Sequence, residues 1–200
     1  EKVGANINSV RKGVCSDSRI GYDFLYPGVG FGGSCFPKDL QALKTFSKDA
    51  GYETSIIDSV MKVNYKQRQI FADKVINFFE GKSNICIAVW GLSFKPETDD
   101  VREAPSIDII KKLLDNSFSV KAYDPIAIDN FKKIVNDEKL SFSDNLYDVL
   151  RGADALLLLS EWNEFRSPNF NKVERLMNQP VIFDGKNIYS KNIIIQLKKF

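Results

Sequence analysis

The chain has 200 residues, 44% hydrophobic and 27% charged, with a net charge of +2. That composition describes a globular chain with room for one or two cores, and its near-neutral total argues for neither a nucleic-acid nor a membrane partner. Histidine is absent, which excludes Ser–His–Asp triads, Cys–His pairs and all zinc sites that need imidazole. No metal is expected. Uninterrupted apolar runs such as "ALLLL" at 155–159 are far short of the ~20 residues of a membrane span. The opening "EKVGANINSVRKGV" reads as amphipathic and charged rather than as a signal peptide, so the expected location is cytoplasmic. Cys15, Cys35 and Cys86 lie too far apart for C-x-x-C ligand pairs, and their odd number points to free thiols.

In chain order, Val3, Ile7, Val10 and Val14 fall on one face of a first helix. Glycines, a proline and polar residues then break the pattern through "CSDSRIGYDFLYPGVGFGGSC". A second helix is expected from Pro37, a residue suited to the first helical turn, with Leu40, Leu43 and Phe46 or Ser47 inward and Gly51 as its stop. Thr54 or Ser55 caps a third helix running to about Phe79 and ending at Gly81. Its length of about 25 residues suits a helix that spans an interface or joins two domains.

From residue 84 the rhythm changes. Five strand-like runs, "NICIAVW", "SVKAYD", "LSFS", "ALLLLS" and "PVIFDG", alternate with helical stretches around Ile107–Leu114, from about Ile126, near Leu146 and around Val173. Continuous apolar runs alternating with helices predict an α/β fold: a helical segment, residues 1–82, followed by a doubly wound, mainly parallel sheet domain, residues 83–200. Ligands of such sheets sit beyond the carboxyl ends of the strands, here "GLSFKPETDD", "SEWNEF" and "DGKN". The first lacks the second and third glycines of G-x-G-x-x-G, so dinucleotide binding in the standard way is not expected there. Asp124, closing the second strand, is at most a weak ribose-binding acid, while Lys95 and Lys186 can neutralise a phosphate or carboxylate.

The stretch "YPGVGFGGSCFPKDL", residues 26–40, carries the chemistry. It reads either as a flexible connector with a stray thiol or as a loop that brings backbone against a ligand beside a nucleophile. Cys35 stands at a helix N-terminus, whose dipole and free N–H groups lower a thiol pKa from its usual ~8.5. Cys86, inside an apolar strand, reads as a small core residue and Cys15 as incidental. Asp39, one turn beyond Cys35, either faces the same cavity or merely stabilises the helix start.

"GFGGSCFPKD" resembles the catalytic-cysteine motif of the nucleotide-sugar dehydrogenases of the UDP-glucose/GDP-mannose dehydrogenase family, which oxidise a sugar C6 alcohol to a carboxylate. "CSDSRIGYDFLYPG", "WGLSFKPETDDVREAPS", "AYDP", "SEWNEF" and "VIFDGKNIY" extend the resemblance over nearly the whole chain in the family's order. The resemblance implies the later part of a central helical dimerisation domain followed by a UDP-sugar-binding domain. The family's N-terminal NAD-binding domain, with its G-x-G-x-x-G, would then be absent, and with it the lysine and asparagine of the helix preceding this segment. A fragment inactive by itself is the expectation.

The resemblance further implies two hydride transfers to NAD, with Cys35 capturing the aldehyde as a thiohemiacetal and then carrying a thioester that water hydrolyses with the help of Asp39. It assigns the sugar nucleotide to Phe24, Tyr26, Pro27, Gly28, Val29, Gly30, Phe31, Gly32, Phe94, Lys95 and Lys186. NAD is assigned to Cys35 and Arg102, and the neighbouring subunit's substrate to Arg19, hence a homodimer. Lys186 stands where the family has arginine; it keeps the charge but loses the bidentate fork. The phenylalanine of "GGSCFPKD" and the extended "IGYDFLYPG" favour UDP-glucose as substrate over GDP-mannose. A nucleotide-sugar-binding dimerisation module without catalysis remains the alternative of another class.

Overall fold

The computed structural model describes residues 2–189; Glu1 and residues 190–200 of the expected second unit lie outside them. Three helices come first. In α1 (Ile7–Cys15), the side chain of the N-cap Asn6 accepts from the Ser9 amide at 3.0 Å, a contact worth about 1 kcal/mol. The helix therefore starts after Val3, which does not join its apolar face. α2 (Phe36–Asp49) has Cys35 as its N-cap and Pro37 in its first turn, where a missing N–H costs no hydrogen bond. α3 (Ser55–Phe78) runs for 24 residues and gives way to Gly81 at φ 76°.

Most of the residues expected to point inward on α1 and α2 do not. Ile7, Val10, Val14, Leu43 and Phe46 are exposed, while Leu40 and Ser47 are half-buried. α3 shows why: Ile56 on its first half is 81% exposed, while Phe71, Ala72 and Val75 on its second half are buried. The sheet engages only that second half.

The sheet consists of β1 (Cys86–Trp90), β2 (Ser119–Tyr123), β3 (Leu140–Phe142), β4 (Ala155–Leu158) and β5 (Ile182–Asp184). All pairs are parallel in the order β3-β2-β1-β4-β5. The connections carry α4 (Pro105–Asp115), α5 (Ile128–Lys132), a 3₁₀ turn (Asp148–Leu150), α6 (Asn163–Arg166) and α7 (Phe170–Leu176). One face packs against α4 and the end of α3, through Ile87, Val89, Ile109, Leu113, Phe71 and Val75. The other covers Trp90, Leu156, Phe165 and Val173. Burial on both faces accounts for uninterrupted apolar strands. Cys86 departs from the expected core role: it is only half-buried, at the start of β1 against the second of these clusters. Cys15, read as incidental, is the buried residue of α1.

Strand order reverses between β1 and β4, so the loops after β1, β4 and β5 converge on one switch point. Asp124 is built into that point rather than open to a ribose. Its Oδ2 accepts from the amides of Leu92 (2.8 Å) and Ser93 (3.2 Å) and from the Ser93 hydroxyl (3.2 Å). Its Oδ1 accepts from the amides of Ile126 (3.1 Å) and Ala127 (3.0 Å). The carboxylate thus ties the turn after β1 to the turn after β2. Asp124→Ala would strand these buried donors and should cost on the order of 3 kcal/mol, read as a lower midpoint in urea unfolding.

Candidate active site

The glycine loop reaches the switch point mainly through its backbone. The Pro27 carbonyl accepts from Asn187 Nδ2 at 3.1 Å, and Gly28 lies against the Gly185 carbonyl and Lys186. Val29 is the loop's apolar plug, only 2% exposed and part of the core beneath the sheet. Its side chain is committed there, which leaves its backbone for any ligand. Gly30 and Phe31 meet α3: Asn64 Oδ1 accepts from the Phe31 amide at 2.8 Å, and Asn64 Nδ2 donates to the Phe31 carbonyl at 3.0 Å.

Arg68, one turn along from Asn64 and 5% exposed, completes this contact. Its Nη2 donates to the carbonyls of Phe31 (2.6 Å) and Glu103 (3.1 Å), and its Nη1 pairs with Asp108 Oδ2 at 2.5 Å. Gly32 runs so close to the Glu103 carbonyl that a Cβ would overlap it. Gly33, at φ 92°, donates its N–H to the Arg102 carbonyl at 2.8 Å and lies against the ring of Phe94. The loop is thereby clamped among α3, the turn before α4 and the turn after β5.

Cys35 emerges from this clamp exposed, as the N-cap of α2, with Ser34 Oγ 3.8 Å from its sulfur. The exposed Arg102 guanidinium hydrogen-bonds Asp100 through Nε (2.9 Å) and Nη2 (2.8 Å). Those bonds and the Asp100 charge raise its pKa, with a smaller contribution from the Cys35 sulfur; reciprocally, Arg102 holds the Asp100 carboxyl below its ordinary range. Asp39 lies in the first turn of α2, its side chain 67% exposed and 3.8 Å from Lys38 Nζ. There an acidic side chain favours the helix start.

Lys95 is exposed, its ammonium 5.5 Å from the centre of the Phe94 ring. Lys186 pairs with Glu161 at 2.7 Å, joining the turns after β5 and β4. Phe94 and Lys186 are thus brought to the glycine loop. Arg19, Phe24 and Tyr26 stand on the exposed approach to it; Arg19 pairs with Asp17 at 2.5 Å and the Arg11 guanidinium lies 4.1 Å from the Tyr26 ring centre. Asn64, Arg68, Asp108 and Glu161 are the site's unanticipated members. For Arg68 a signal existed: it shares a helical stripe with Phe71, Ala72 and Val75, and a cation on a core stripe must have partners.

The turn after β1 does not fit a dinucleotide pyrophosphate. Beyond Gly91 it has side chains at Leu92, Ser93, Phe94 and Lys95, and Asp124 has both oxygens engaged by protein donors. A Cβ on Gly91 would itself overlap Ser160, so this glycine serves the contact between two turns of the sheet.

The central domain of the UDP-glucose/GDP-mannose dehydrogenase family matches residues 1–66, and the family's UDP binding domain matches residues 88–191. UDP-glucose 6-dehydrogenase TuaD of Bacillus subtilis is 45% identical over 190 residues, covering 95% of this chain and 41% of the relative. The UDP-glucose 6-dehydrogenase of Pseudomonas aeruginosa is 40% identical over 192 residues, covering 94% and 42%. The chain thus spans about two fifths of the length of these relatives. Among solved structures, a UDP-glucose dehydrogenase from Pyrobaculum islandicum superposes with a TM-score of 0.83 at 26% identity, covering 94% of this chain and 42% of that one. An NDP-N-acetyl-D-galactosaminuronic acid dehydrogenase from Methanosarcina mazei gives 0.82 at 29%, covering 98% and 43%.

The close approach of Gly32 to Glu103 gives a direct check on the clamp. Gly32→Ala should cost about 1–3 kcal/mol through overpacking against backbone and open the 26–35 loop to proteolysis, seen as cleavage there under conditions that leave the parent chain intact.

Proposed function

The chain belongs to the UDP-glucose/GDP-mannose dehydrogenase family, and from that premise we propose that it is the cysteine-bearing, nucleotide-sugar-binding part of a UDP-glucose 6-dehydrogenase. The observation that carries this reading is the glycine loop, clamped to the Arg102 carbonyl and to the turn after β5, which presents exposed Cys35 at the N-terminus of α2. In this reading residues 1–82 belong to the helical dimerisation unit and residues 83–200 to the UDP-sugar unit. NAD, the cofactor the family implies, supplies the hydride acceptor when bound. Its principal site is proposed to lie in the part of the relatives' length that this chain does not span, with Arg102 as this chain's cationic contact to it.

The loop from Tyr26 to Gly32 offers backbone to the sugar nucleotide, and Phe94 and Lys95 flank it. Lys186 enters this role already paired with Glu161, so a phosphate must share or displace that carboxylate. Cys35 is proposed to add to the aldehyde carbonyl at the sugar's C6, forming the C–S bond of a thiohemiacetal while the carbonyl oxygen takes up a proton. After oxidation to the thioester, water attacks the acyl carbon, the C–S bond breaks, and the carboxylate and the thiol are released. Asp39, two-thirds exposed at the same helix start, is the group assigned to hold that water. Histidine is not needed for any of these steps.

An apolar groove supports the proposed homodimer. Gly30, Phe31, Ile56, Val60 and Val63 line a volume of about 600 Å³ on the uncovered half of α3, and the adjoining apolar side chains of α2 are also exposed. Large uncovered apolar patches mark contact surfaces.

In the full-length protein, Cys35→Ser should lower NADH production from UDP-glucose by roughly three orders of magnitude or more. Turnover equal to that of the parent enzyme would refute the nucleophile, and preference for GDP-mannose would overturn the substrate. Sedimentation of the same protein should give a dimer, and Val63→Glu should shift it toward monomer. A parent protein that sediments as a monomer would remove the dimer from the proposal.

A further inference from the structure

Resting on the role proposed for Cys35, we infer that Arg68 is a positioning residue whose guanidinium fork sets the place of the Cys35 loop, with Asn64 and Asp108 completing the clasp. Arg68 sits on the stripe of α3 that otherwise carries Phe71, Ala72 and Val75 into the core. For stability alone an apolar side chain would serve there at least as well as a buried cation. What only a planar fork supplies is several donors in fixed relative directions.

Those donors reach three separate segments: Phe31 in the glycine loop, Glu103 in the turn before α4, and Asp108 on α4. Both carbonyl contacts lead to the sulfur. From Phe31 the chain passes through Gly32, Gly33 and Ser34 to Cys35, with little side-chain packing of its own to fix its course. From Glu103 the preceding residue is Arg102, whose carbonyl receives the N–H of Gly33, two residues before Cys35, at 2.8 Å. Asn64 holds both polar groups of Phe31 from the same face of α3, one turn earlier.

A second bridge between the same helices provides the control. Lys112 of α4 pairs with Asp73 of α3 at 2.7 Å, with no contact to the loop among the described residues. The experiment compares Arg68→Lys, Arg68→Met and Lys112→Met in the full-length enzyme. It measures unfolding midpoint, kcat and KM for UDP-glucose, and the pH profile of iodoacetamide labelling at Cys35. Both Arg68 variants should lower kcat by about tenfold to a hundredfold and shift the labelling profile of Cys35. Lys112→Met should lower only the midpoint. If Arg68→Met does not fold, Arg68→Lys carries the comparison, since lysine keeps the charge and loses the fork.

A folded Arg68→Lys enzyme with parental kcat and labelling profile would overturn the inference, as would a Lys112→Met enzyme that shifts both equally. Labelling is read without turnover, so the two proposals separate. If Cys35→Ser retains activity while the Arg68 variants still shift the labelling of Cys35, the clasp stands and the nucleophile falls.

Discussion

A loop built largely of glycine brings almost no apolar surface with it, so its place depends on where its backbone N–H and C=O groups find partners. Between Pro27 and Gly33 those partners are Asn187, Asn64, Arg68 and the Arg102 carbonyl. Val29 alone anchors the run by burial, a contribution of about 1.5–3 kcal/mol for a fully buried side chain of this kind. Everything near the thiol inherits its position from this arrangement. Arg102 and Phe94 come from the connection after β1 and Lys186 from the turn after β5, and the loop lies across both.

The same constraint explains why the site is shared between helices and sheet. α3 is continuous, yet its two halves have different environments: its second half is sealed under the sheet, and its first half presents an apolar groove beside Phe31. Asn64 and Arg68 occupy the transition between them. A shift of that helix against α4 would move the loop, the Glu103 turn and the charge of Arg102 together. Local stability and site geometry are therefore properties of one contact set.

Much of the fold was legible. The five strand-like runs mark the five strands, and burial on both faces explains why β1 and β4 lack alternation. Pro37, Gly51 and Gly81 delimit helices through their own backbone chemistry. The stripes of Ile7, Val10, Val14, Leu43 and Phe46 have the right period for burial but are exposed among the described residues, and period alone does not say what lies opposite. Asp124 has the position of a ribose-binding acid, but five protein donors fill its oxygens. Those donors come from two turns that only the sheet brings together.

By itself the sequence determined the elements, the exclusion of histidine chemistry, and a thiol at a helix start behind a run of glycines. Each of these is local: a cap, a composition, a spacing along a few residues. The tertiary structure alone decided which polar groups would hold that thiol in place. Phe31 meets Asn64, Arg68 reaches Glu103 and Asp108, and Lys186 meets Glu161. These partners lie roughly 25 to 40 residues apart, and a hydrogen bond across such a span leaves no periodic mark in the chain. Its geometry exists only once α3, α4 and the strand ends have packed.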